Sequence, residues 1–129
     1  MNNRPRTQVS LLVSLVATAV LAACARVSPP PPPESRDGYP ERGARLIQQY
    51  GCGGCHTIPG VPRADGLVGP PLTRFGARSY IAGRLPNNAG NLSRWIQDPQ
   101  AVEPGTAMPD LGVSGADARD IAAYLFTLE

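Results

Sequence analysis

The 129-residue sequence has no lysine: its 12 basic residues are all arginine. It has one histidine, three cysteines and two methionines. Aromatic residues make up 5% and charged residues 17%. The composition excludes a nucleic-acid binder with a large basic patch. The shortage of charge excludes a coiled coil, and the single apolar run excludes a polytopic membrane protein. Few aromatics in a short chain mean a small core, which calls for a cofactor, a metal or a covalent staple. Net charge is +2, and two arginines precede residue 10. Without that end the charge is zero, so no long-range steering toward an anionic partner is expected.

What the chain does have is proline (15) and glycine (14), a marked N-terminus and one compact motif. Residues 1–23 begin with Arg4 and Arg6, continue through an apolar run from Val9 to Val20 and end in Leu21-Ala22-Ala23 before Cys24. A basic start, an apolar stretch of about a dozen residues and small residues at the end are the pattern of an export signal. Leu-Ala-Ala-Cys also resembles the lipobox of bacterial lipoproteins, which implies a lipidated Cys24. Residues 24–38 hold five consecutive prolines, Pro29 to Pro33. Such a run adopts an extended polyproline conformation and acts as a spacer, reaching up to about 45 Å from a lipid surface.

The expected folded domain is 39–129, and it is all-α. Pro40 opens a helix to Tyr50, with Gly43 and Ile47 on one face. A second helix covers Asn91 to Gln97, with Leu92, Trp95 and Ile96 as its apolar stripe, and Pro99 ends it. The last starts after Ser114, with Asp117 completing a capping-box pattern and Ile121, Tyr124, Leu125 and Leu128 at helical spacing. A short helix is expected around Ala77 to Ala82. No segment alternates like a strand. Loops rich in Gly and Pro cover 59–71 and 98–112, long enough to need something inside that orders them.

The chemistry concentrates in Cys52-Gly53-Gly54-Cys55-His56. A thioredoxin-like dithiol would open a helix after a strand in a βαβ unit, and that pattern is absent. A zinc site would need two further Cys or His ligands; the remaining Cys is Cys24, and there is no second His. The C-x-x-C-H spacing instead signals covalent c-type haem, with both thiols joined to vinyl groups and His56 on the iron. A second axial ligand follows by elimination. Met1 leaves with the signal, so Met108, in Pro104-Gly-Thr-Ala-Met-Pro109, is the thioether that remains. A Met/His pair raises the reduction potential and suits electron transfer.

With these segments in order, the chain resembles a class I cytochrome c. Tyr50-Gly-Cys-Gly-Gly-Cys-His56, Gly69-Pro-Pro-Leu72, Leu92-Ser-Arg-Trp-Ile-Gln-Asp-Pro99, Pro104-Gly-Thr-Ala-Met-Pro109 and the final helix carry the resemblance. It implies three to five helices around one haem, with the Pro70 carbonyl accepting the His56 Nδ1–H. It implies that Arg78, with Arg74 and Arg84 near it in sequence, meets a haem propionate. It places Trp95 where relatives carry a Tyr that reaches the Met sulfur. It also implies that Gly43, Ile47, Ile121 and Tyr124 form the crossing of the first and last helices.

The stretch from Tyr80 to Asn88 and the Trp95 helix are most similar to the cytochrome c domain fused to subunit II of caa-type oxidases. The copper-binding ligands and transmembrane pair of such a subunit are missing, so the resemblance is to a free-standing lipoprotein form. The expected function is single-electron transfer on the outer face of a bacterial inner membrane. No catalytic residue is assigned. The partner would be a terminal oxidase or a dehydrogenase feeding one. The alternative is a haem peroxidase or gas sensor with a dissociable Met108, which a distal His or Arg would favour.

Overall fold

The structure is a computed structural model that describes residues 38–129. The segment expected to be an export signal, Cys24 and the proline run lie outside these residues. Among the described residues no helix is long and apolar enough to cross a membrane.

Four α-helices form the frame: α1 (Pro40–Gln49), α2 (Ala89–Gln97), α3 (Pro99–Val102) and α4 (Gly115–Phe126). Pro40 occupies the first turn of α1, where a missing N–H costs nothing. Gly43, Leu46 and Ile47 are its buried residues, at the i, i+3, i+4 spacing that makes one face. In α4 the buried residues are Ala118, Asp120, Ile121, Ala122 and Leu125. These two faces pack against each other, and α2 also packs on α4, with Leu92 and Ile96 in the same core.

Gly43 decides how close α1 and α4 come. A Cβ there would stand 2.6 Å from the Asp120 carbonyl carbon and 3.0 Å from the Tyr124 Cβ. Backbone cannot yield as a side chain does, so the helices would have to separate. Gly43→Ala is expected to cost about 3 kcal/mol of stability, the upper part of the range for overpacking. Thermal or denaturant unfolding of the haem-loaded protein measures it, and an unchanged midpoint would contradict the crossing described here.

A polar clamp ties the same crossing. Asp120, 3% exposed, accepts from the Tyr39 amide at 2.8 Å and from the Arg42 guanidinium. Arg42 also pairs with Asp117, which accepts from the Tyr50 hydroxyl at 2.8 Å. The buried carboxylate is therefore both paired and hydrogen-bonded, the condition under which burial of a charge is tolerated. Burial pushes Asp117 upward, but hydrogen bonds from Tyr50 and Ser114 and the Arg42 charge outweigh it and hold this acid below its ordinary value. Ser114 Oγ caps α4 by accepting from the Asp117 amide at 3.2 Å. The Asp117 carboxylate, which the capping-box pattern assigned to the helix start, keeps a hydrogen bond with Ser114 there and also meets Arg42 and Tyr50.

Helix α2 begins two residues before the expected Asn91 because the Asn88 side chain caps it, accepting from the Asn91 amide at 2.9 Å. Pro99 ends α2 and at once opens the single turn of α3, capped by Asp98 at 2.9 Å from the Ala101 amide.

The helix expected over Ala77 to Ala82 is not formed. Its place is taken by a 3-10 turn at Phe75–Ala77 and a hairpin of β1 (Tyr80–Ile81) and β2 (Leu85–Pro86). The strands pair antiparallel, Tyr80 with Pro86 and Ile81 with Leu85. Arg84 N donates to the Ile81 carbonyl at 2.9 Å across Ala82 (φ 50°) and Gly83 (φ 67°). Two successive positive φ angles fit the primed turns that match strand twist and are incompatible with a right-handed helix. Strands of two residues are too short for alternation to be read. The side chain of Asn87 secures the hairpin, donating to the Phe75 and Arg78 carbonyls at 3.0 Å each.

Candidate functional site

Helix α1 stops at Tyr50, and Gly51 (φ 74°) turns the chain into a 3-10 turn over Cys52–Gly54. Cys55 N and His56 N both donate to the Cys52 carbonyl, at 3.2 and 3.0 Å. The two thiols and the imidazole are thereby carried by one turn of chain, as residues three and four apart must be. Both cysteines are half-buried. Burial pushes the Cys52 thiol above its ordinary value.

The Gly/Pro loop expected over 59–71 is ordered by folding back on this turn. Gly66 N donates to Gly53 O at 3.0 Å, Gly69 N to Cys55 O at 2.8 Å and Leu72 N to Thr57 O at 2.8 Å. From the other side, the Tyr124 hydroxyl donates to the Pro59 carbonyl at 2.6 Å. Gly53 has no room for a side chain: a Cβ would stand 2.7 Å from the Ala64 Cα.

His56 Nδ1 lies 2.7 Å from the Pro70 carbonyl oxygen. A carbonyl only accepts, so Nδ1 carries the proton and Nε2 keeps a free lone pair, the tautomer a metal requires. Gly69 forms a wall against the ring. A Cβ at Gly69 would fall 2.7 Å from Nδ1 and 2.9 Å from Nε2, so any other residue there would displace the imidazole. Gly69 stands in the Gly-Pro-Pro-Leu motif, where nothing in the sequence signals this role. Its contact depends on two loops meeting.

Two cavities meet on Cys52, His56, Met108 and Leu111, with about 540 and 590 Å³ of empty space. The inner one reaches Ile47, Leu92, Trp95 and Leu125; the outer one opens past Tyr50, Val68 and Pro109. Neither is lined by a charged side chain. Met108 is thus on the same cavities as His56, and Trp95 is on the inner one.

Arg78 is held by the backbone of its own loop. Its Nη2 donates to the Pro71 carbonyl and to the Thr73 carbonyl (3.2 Å), and the guanidinium stacks 5.2 Å from the Phe75 ring centroid. Arg84 is paired with Glu103, its Nη2 donating to Oε1 at 2.8 Å. Arg74 is the exposed, left-handed residue (φ 53°) before the 3-10 turn. The three arginines near in sequence therefore do not converge on one point.

Among the described residues no three His, Cys, Asp or Glu side chains gather into a metal site. A zinc centre finds no ligand set there. Two thiols and an imidazole on one turn, a thioether on the same apolar cavity and a glycine flat against the imidazole fit a covalently attached haem.

Residues 40–129 match the cytochrome c family. The chain belongs to it. As a cytochrome c domain it is a haem c electron carrier, with Cys52 and Cys55 present for covalent attachment. The cytochrome c oxidase subunit 2 of Alkalihalophilus pseudofirmus is 37% identical over 97 residues, which is 74% of this chain and 28% of that protein. The chain spans under a third of the length of that subunit. Cytochrome c-552 of Nitrosomonas europaea is 28% identical over 100 residues, 71% of this chain and 84% of that protein. Among solved structures, SoxXA of P. pantotrophus superposes with a TM-score of 0.56 at 24% identity, over 73% of this chain and 84% of that one. That last likeness concerns the fold alone.

Proposed function

We propose that this cytochrome c carries single electrons through one haem on the outer face of a bacterial inner membrane, with His56 and Met108 as axial ligands. The observation that carries the ligand assignment is the His56 tautomer, Nδ1 on Pro70 and Nε2 free, on the cavities that Met108 also lines. When bound, the haem supplies an Fe(III)/Fe(II) couple. Cys52 and Cys55 hold it through thioethers. The Pro70 carbonyl orients His56 and strengthens it as a ligand. The Met108 thioether favours the reduced state and raises the potential. Trp95 packs the inner cavity, and the apolar lining keeps water away. Arg78 uses Nη2 on two carbonyls, and its remaining N–H groups are assigned to a propionate.

The rim of the outer cavity supports an uncharged docking face. Val68 is 80% exposed and Leu111 40% exposed, and Pro109 stands beside them. The similarity to oxidase subunit 2 supports a terminal oxidase as partner. Residues 1–23 are read as a signal, Cys24 as the lipidated residue, 24–38 as the tether and 39–129 as the cytochrome domain. A tether raises local concentration at a membrane partner to the millimolar range, which offsets the lack of charge steering.

The test compares the full chain with Cys24→Ser. The variant should leave the membrane fraction, or stay unprocessed, while keeping its haem. The tethered form should reduce a membrane oxidase with a rate that depends weakly on salt. A steep decline with salt would show that charge drives docking, and membrane retention of Cys24→Ser would remove the lipid anchor from the proposal.

A further inference from the structure

Met108 sits on a stretch with no helix or strand, between the end of α3 at Val102 and the start of α4 at Gly115. Such a loop needs a closure of its own, and one side chain supplies it. Gln100, the second residue of α3, donates from Nε2 to the Thr106 carbonyl at 2.8 Å and to the Met108 carbonyl at 3.2 Å. Its Oε1 accepts from the Gly105 amide at 3.1 Å. The partners decide the orientation of the amide: two carbonyls require the NH₂ group, and an N–H requires the oxygen.

Gln100 is itself well held. Asp98 caps its helix, and Pro99 beside it is buried. The loop's first residue, Glu103, is pinned by Arg84. Rigid chain thus lies on one side of Gln100 and the segment bearing Met108 on the other.

We infer that Gln100 is a positioning residue that holds the Met108 loop closed and so sets how readily the thioether leaves the iron. This rests on the reading of Met108 as an axial ligand. Gln100 is exposed, so water replaces its three bonds individually when they are lost, and overall stability should change little. Water does not replace the bridge that ties Gly105, Thr106 and Met108 to one helix. The effect therefore falls on local opening of the loop rather than on global unfolding.

The test uses the oxidised, haem-loaded protein and two variants. Gln100→Ala loses all three bonds. Gln100→Glu has nearly the same shape and keeps an acceptor for Gly105, but when ionised it has no donor for the two carbonyls. The far-red charge-transfer band of thioether-ligated Fe(III) is followed as pH is raised. Both variants should lose the band at a lower pH than the parent, by about one unit, equivalent to a roughly tenfold larger open population. Their thermal midpoints should stay close to the parent's.

Loss of the band at the parent's pH in both variants overturns the inference. So does a shift in Gln100→Ala with none in Gln100→Glu, because side-chain bulk and not the amide donor would then hold the loop. A parent protein without the band, or one whose band survives Met108→Ala, refutes the ligand assignment itself, and this is seen before any Gln100 variant is compared.

Discussion

Met108→Ala is expected to abolish the far-red band of the oxidised protein and to lower its reduction potential by on the order of 0.2 V, a sizeable part of the roughly 0.8 V that axial ligands span. The reason is a shortage of substitutes. His56 is the only histidine, and Met1 belongs to the segment read as an export signal. No charged side chain lines either cavity, so no anionic or cationic group stands ready to take the vacated place. A thioether stabilises the reduced iron relative to the oxidised, and water or a hard ligand does not. Trp95→Phe is the control. Trp95 lines the inner cavity without being assigned as a ligand, so its replacement should move the potential far less. Native potential and spectrum in Met108→Ala would send the ligand assignment elsewhere.

The second large effect is on folding. Replacing both Cys52 and Cys55 by Ala, or expressing the chain where haem attachment does not occur, should leave the domain largely unfolded. Circular dichroism should then lose most of its helical signal, and heating should produce no cooperative transition. The cavities explain why. Without the haem, the side chains that line the inner cavity have no partner atoms on one side and lose those contacts. Ile47, Leu92, Ile121 and Leu125 face that space as well as one another, so the core closes only around something. A helical apoprotein with a sharp melting transition would mean that the protein core is sufficient by itself.

Local rules made much of this protein readable from its residues. The 3.6-residue period and the Pro40 and Ser114 start signals placed the first and last helices, since both depend only on neighbours in the chain. The spacing Cys-x-x-Cys-His carries its two thiols and imidazole on one turn for the same local reason. Haem as the cofactor followed from that spacing, because no second pair of ligands exists for zinc and no strand precedes the motif. The N-terminal export pattern is likewise compositional, and it belongs to residues the structure does not describe.

Tertiary structure decided what neighbours in the chain could not. The segment over Ala77 to Ala82 has helix-compatible residues, yet packing buries Ile81, and the turn through Ala82 and Gly83 makes a hairpin. Arg74, Arg78 and Arg84 are close in sequence but take an exposed turn, two loop carbonyls and Glu103 respectively. Asp117 sits at a capping position beside Ser114 and is bound in addition by Arg42 and Tyr50, far from it in the chain. Gly69 against the His56 ring and Gln100 under the Met108 loop have no sequence signature, because each acts on a residue brought near by the path of a loop. Sequence therefore determined the chemistry, which is local in spacing. The fold determined orientation and restraint, which depend on which distant backbone arrives beside each side chain.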